Sequence, residues 1–110
     1  MLVLCSPLVF KTFFRKDIRA FAFWPFVIIR DKYLVKDRIL INHERIHLKQ
    51  QVELLILPFY VLYFGEFIIH FIRFKNWNQA YRAISFEKEA YQNHSNSNYT
   101  NGRKSYAMWR

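Results

Sequence analysis

The chain has 110 residues, enough for one domain with one modest core, and carries a net charge of +9. It is 53% hydrophobic and 20% aromatic with only two glycines, which excludes a disordered or loop-rich scaffold, and a lone cysteine excludes an internal disulfide. The basic residues are spread along the chain without a helix-turn-helix, RNP or finger pattern, and the aromatics cluster in apolar runs. No nucleic acid is therefore expected as a partner, and the fitting partner for long apolar runs with basic flanks is an anionic membrane lipid surface.

Residues 8–21 alternate Leu8, Val9, Phe10, Phe13, Phe14, Ile18 and Phe21 with Lys11, Arg15, Lys16 and Arg19, the stripe of a short amphipathic helix that could rest on lipid head groups. Residues 20–29 (AFAFWPFVII) are aromatic and β-branched with Pro25 inside, which predicts an edge strand or extended segment. Such an edge could hold a peptide by strand addition. Arg30-Asp31-Lys32 reads as a turn, and Asp37 as the N-cap of the next helix.

From Arg38 to Leu54 the pattern is helical, with Ile39, Asn42, His43, Ile46, His47 and Gln50 on one broad side. This helix carries His43-Glu44-Arg45-Ile46-His47, an H-E-x-x-H motif. Residues four apart lie on the same side one turn apart, so both imidazoles can reach one tetrahedral metal ion, for which zinc is the expected cofactor. Glu44 projects at the edge of that side, placed to act on a water as general base.

Residues 54–72 are almost wholly apolar, interrupted by Gly65, Glu66 and His70, and about long enough to cross a bilayer. A single crossing would separate the motif from any downstream ligand. The expectation is therefore a helical hairpin that enters the membrane and returns, with Pro58 kinking the outward leg and the chain reversing near Gly65. Glu66 and His70, four apart, are expected to pair with each other. Basic flanks at both ends place the site on the cytoplasmic side. The same stretch could instead lie in a homodimer interface. Asn76 or Asn78 caps a last helix running through Gln79, Tyr81, Ile84, Phe86, Ala90 and Tyr91. Residues 93–110 form a polar, basic tail of flexible composition. The fold class is thus mainly α in a single domain over residues 1–110: an N-terminal amphipathic helix, one edge strand, a metal-binding helix, an apolar helical hairpin and a glutamate-bearing helix.

A catalytic zinc generally takes three protein ligands. The candidates for the third are Glu53, Glu66, Glu87, Glu89, His70 and His94. Glu87 and Glu89 point about 200° apart on a helix, and Glu87 shares the side of Ile84, Ala90 and Tyr91, which favours Glu87 inward.

The H-E-x-x-H motif followed by Phe86-Glu87-Lys88-Glu89-Ala90 resembles the membrane gluzincins of the CaaX-prenyl-protease type. The longer H-E-R-I-H-x-x-Q-Q-x-E segment with F-E-x-E-A-Y is similar to small bacterial membrane proteins, over most of the chain. The resemblance implies His43, His47 and Glu87 as zinc ligands, Glu44 as general base, and hydrolysis of a peptide or protein substrate. The family's trailing Asp, which supports the site, is Tyr91 here, and its multi-span scaffold is absent. Support for a ligand imidazole must then come from elsewhere, with Tyr91 and Glu89 as candidates. The alternative is a membrane-associated protein that binds a metal without catalysis and acts by interaction.

Overall fold

A computed structural model describes residues 1–15 and 18–110. The protein is mainly α, with a small sheet near the N-terminus. Strand β1 (Leu2–Cys5) runs parallel to β3 (Phe26–Ile29), and β2 (Ala20–Phe23) pairs antiparallel with β3 on its other side, giving the order β1-β3-β2. Residues 20–29 are thus a hairpin rather than one edge strand. Pro25, which cannot donate to a ladder, sits in the turn between Phe23 and Phe26 and leaves β3 free to be central. The edge of β2 is partly taken, because the carbonyl of Ala22 accepts from Gln51 Nε2 and the Tyr60 hydroxyl. Strand addition is blocked at that residue.

Helix α1 (Pro7–Phe13) is shorter than the stripe over residues 8–21 suggests. Ser6 caps it, Pro7 opens it, and Phe14 is already extended. Lys16, one of the basic residues of that stripe, lies outside the described residues. The buried ring of Phe10 packs against Phe14 and Phe21.

Helix α2 (Arg38–Leu54) begins as expected, with the Asp37 carboxylate accepting from Leu40 N at 3.0 Å. Its consecutive glutamines serve different neighbours. Gln51 bonds Ala22 O and accepts from Trp24 N, tying the helix to β2, while Gln50 points about 100° around the axis to a helix on the other side. Leu48 joins Ala22, Val27, Ile29 and Leu34 in one apolar cluster under the sheet. Phe59, Ile84, Phe86 and Met108 form a second. The face of α2 that carries the histidines lies between the two.

Helix α3 (Ile56–Phe74) corrects the expected hairpin. It runs unbroken through Gly65. A mid-helix glycine costs only about 1 kcal/mol, which packing along the inner face readily offsets. Pro58 does not kink it either. It stands in the first turn, where its missing N–H has no helical partner to lose. The reversal comes ten residues later, at Lys75, whose left-handed backbone lets its N–H close onto Phe71 O. Asn76 then caps α4 (Trp77–Ala83), its side chain accepting from Gln79 N.

The last expected helix is two. It breaks at Ile84, and α5 (Ser85–Asn93) starts anew. The break is held by Glu66, which accepts from both Ser85 N at 2.8 Å and Ser85 Oγ at 2.7 Å. Glu66 therefore caps α5 instead of pairing with His70, whose ring stacks near Phe74. Residues 93–110 fold back along α2 and α5 through α6 (Tyr99–Gly102) and a final turn, burying Met108 and the Arg103 side chain.

Gly65→Ala tests the continuous helix. No atom lies within 4 Å of the position a Cβ would take. The substitution should stabilise the protein by about 0.5–1 kcal/mol in chemical denaturation. A glycine in a reversing turn would give a loss instead.

Candidate metal centre

Helix α2 brings His43 and His47 to one side with ring centroids 4.8 Å apart. Glu87 meets them from the first turn of α5, where a carboxylate also suits the helix N-terminus. Its Oε1 lies 3.0 Å from His43 Nε2 and 3.2 Å from His47 Nε2. All three residues are buried, 3–6% exposed. They are the one group of metal-capable donors found among the described residues, with donor atoms within 4.8 Å of one another. Tetrahedral ligands bonded at about 2.0–2.2 Å stand roughly 3.3–3.6 Å apart. Two imidazole nitrogens and a carboxylate oxygen at these separations fit a divalent metal with small adjustments.

The other candidates are placed elsewhere. Glu53 pairs with Arg103 and accepts from Tyr106 N. Glu66 caps α5, and His70 lies on α3 beside Phe74. His94 comes close but stands behind the donors, its Nδ1 3.0 Å from His43 Nδ1.

That contact is one of three supports around the donor group. The loop carrying His94 is fastened by Asn42, which donates to His94 O and Asn96 O, both at 2.8 Å. On the second histidine, His47 Nδ1 lies 2.8 Å from Gln50 Oε1. Gln50 is oriented by its own donors, which reach Phe86 O and Glu89 Oε1 at 3.0 Å each. Its oxygen must then face His47, so His47 carries its proton on Nδ1 and turns Nε2 to the metal position. Glu89 is anchored by Arg103 and Tyr99. The third support is the Tyr63 hydroxyl, which donates to Glu87 Oε2. Tyr91 packs its ring edge-on to His43 at 4.6 Å and is covered by the Arg82 guanidinium. It buttresses the ring by packing rather than by a hydrogen bond to it.

Of these supports, Gln50 had a sequence signal, three residues past His47 on the motif side. Tyr63 and Arg103 had none, because nothing local distinguishes an apolar-run tyrosine or a tail arginine.

The electrostatics follow from burial and proximity. Burial raises the Glu87 carboxyl, but His47 and His43 outweigh it and hold the group well below the carboxylate range. Burial lowers His47, yet the Glu87 carboxylate more than offsets it, and without metal the imidazolium persists up to about 9. Burial dominates at His43, whose pKa falls despite Glu87. Burial likewise pushes Glu44 up to about 7, with His47 pulling it down and Glu87 pushing it up. Glu44 is 5% exposed, no hydrogen bond to its carboxylate is found among the described residues, and its oxygens keep contact with the surrounding cavities. It lines two cavities that flank the centre. The larger, about 560 Å³, is walled by aromatic and aliphatic side chains including Phe21, Phe59, Tyr60, Tyr63, Phe64 and Phe67. That size lies within the range of ligand-binding pockets, about 300–1,000 Å³.

In comparisons with known proteins, no family model matches this chain, and neither a curated protein nor a solved structure matches it.

Two outcomes are expected for zinc. The metal must displace the His47 proton, so affinity should rise with pH from 6 toward 9, and a calorimetric titration at pH 7 in buffers of different ionisation enthalpy should report at least about one proton released. Gln50→Ala should weaken zinc binding by about 10–100-fold, whereas Gln51→Ala, which faces β2, should lower stability and leave zinc affinity within about tenfold of the parent.

Proposed function

We propose that this protein is a zinc-dependent metallopeptidase of gluzincin type, with His43, His47 and Glu87 as ligands and Glu44 as general base. The observation that carries the reading is the pairing of a supported His–His–Glu donor set with a buried, unpartnered Glu44 carboxylate that opens onto a cavity. The Glu44 oxygens meet the cavities rather than another side chain, which leaves the carboxylate free to meet a water there, and carboxyls with perturbed acidity concentrate at functional sites. A purely structural metal site has no use for such a carboxylate, which sets this reading above non-catalytic metal binding.

A zinc ion held by these ligands supplies Lewis acidity and acidifies a water to near neutrality. The protein's own groups do the rest. Glu44, lining the cavity beside His47, takes the water's proton and returns it to the amine nitrogen as the peptide bond breaks. A carboxylate that lines the cavity next to the ligand position is placed for both transfers. Gln50 and His94 keep the imidazoles turned to the ligand position, and Tyr63 fixes the second oxygen of Glu87. The aromatic cavity takes a bulky apolar side chain of the substrate and keeps water away from the reacting bond.

Glu44→Gln separates binding from chemistry. The variant should keep about one zinc per chain by metal analysis and lose hydrolysis of apolar peptide libraries by about 10²–10⁴-fold. Full activity in Glu44→Gln would remove the catalytic assignment. Unchanged zinc stoichiometry in Glu87→Ala would remove Glu87 from the ligand set.

A further inference from the structure

Helix α3 has two unlike sides. At about 100° per residue, Phe59, Tyr63, Glu66, Phe67 and His70 fall on the side turned to the protein. Phe59 is buried, Tyr63 bonds Glu87, Glu66 caps α5 and Phe67 packs edge-on to Trp77. The opposite half presents Leu57, Val61, Phe64, Ile68, Ile69 and Ile72, each 55–76% exposed, with no charge among them. A continuous apolar row of this length is uncommon on a monomer that stays in water.

We infer that this half of α3 docks on an anionic bilayer, with the helix lying in the plane of the interface rather than crossing it. Nineteen residues would span about 28 Å, close to a hydrocarbon core of about 30 Å. A crossing is disfavoured because the other side of α3 packs on the domain at Phe59, Tyr63, Glu66 and Phe67. It would carry the exposed charges of Lys49, Arg82 and Lys88 and the buried Glu87 and Glu89 into hydrocarbon. Lying flat, the helix gives one half to lipid and the other to the protein.

Charge selects lipid over a second copy of the chain. Two molecules at +9 each would repel when their faces met, whereas anionic head groups attract them. Arg73 and Lys75 stand exposed at the C-terminal end of the row.

Docking also locates the cavity. Phe64 belongs to the exposed row and to the cavity wall, beside Tyr60 and Phe67. The mouth therefore opens where lipid begins. If the proposed hydrolase reading holds, apolar peptide segments resting on the bilayer reach Glu44 without passing through bulk water.

The test is co-sedimentation of the full chain with phosphatidylcholine vesicles with and without phosphatidylglycerol. Binding should need the anionic lipid and weaken with salt. The double variant Val61→Glu/Ile68→Glu, on exposed positions, should keep its circular dichroism and zinc affinity and lose vesicle affinity by at least about tenfold. Glu44→Gln should bind vesicles like the parent, which separates failure of docking from failure of the hydrolase reading. Fluorophores at Leu57→Cys and at Ile72→Cys in a Cys5→Ser background should report the same shallow depth by lipid quenching. Depths in opposite leaflets would overturn the inference in favour of a crossing helix. A stable dimer by sedimentation velocity that ignores vesicles would overturn it in favour of self-association.

Discussion

The constraint on which the structure turns is the burial of the Glu87 carboxylate. An ionised group removed from water costs several kcal/mol unless charge and hydrogen bonds compensate it. Here the compensation comes from three side chains on two helices: His43 and His47 on α2 and the Tyr63 hydroxyl on α3. The same donors that satisfy Glu87 without metal are, on its His side, the atoms that would surround one. The folded chain thus holds the His–His–Glu group together through its own electrostatics, and a metal bound there would have to displace the His47 proton.

Each further layer answers a similar demand. Glu89 is also buried, so Arg103 and Tyr99 from the tail close over it. Neutralised in this way, Glu89 can hold Gln50, and Gln50 sets the tautomer of His47. The tail is consequently part of the support of the His–His–Glu group, although it touches none of the three. The parallel device on the other histidine runs from Asn42 through the loop at His94 to His43 Nδ1. These two arms hold the Nδ1 side of each imidazole, while Tyr91 packs against the ring of His43.

Helix α3 couples the centre to the surface. Its inner side supplies Tyr63 to Glu87 and Glu66 to the start of α5, and its outer side is an unbroken apolar row. The Glu66 cap matters most. By taking the N–H and hydroxyl of Ser85 it breaks the chain at Ile84, and the new helix begins with Glu87 in its first turn, aimed at α2. A straight helix continuing from α4 through residue 91 would have no such reason to point Glu87 there.

What the sequence by itself determined is what depends on neighbours a few residues apart. The 3.6-residue period alone places His43 and His47 on one side of α2 with Asn42 and Gln50, and Asp37 and Asn76 cap as their side chains dictate. The mainly helical class and the net positive charge were legible in the same way. Only the tertiary structure decided where the apolar run reverses, that residues 20–29 form a hairpin, that Glu66 caps α5 rather than pairing with His70, and that His94 supports a ligand. The contact between His43 and Glu87 spans 44 residues. The helix side pointed to Glu87 as the inward carboxylate, but the contact itself, and the compensation that lets the carboxylate be buried, exist only when α2, α3, α5 and the tail are packed together.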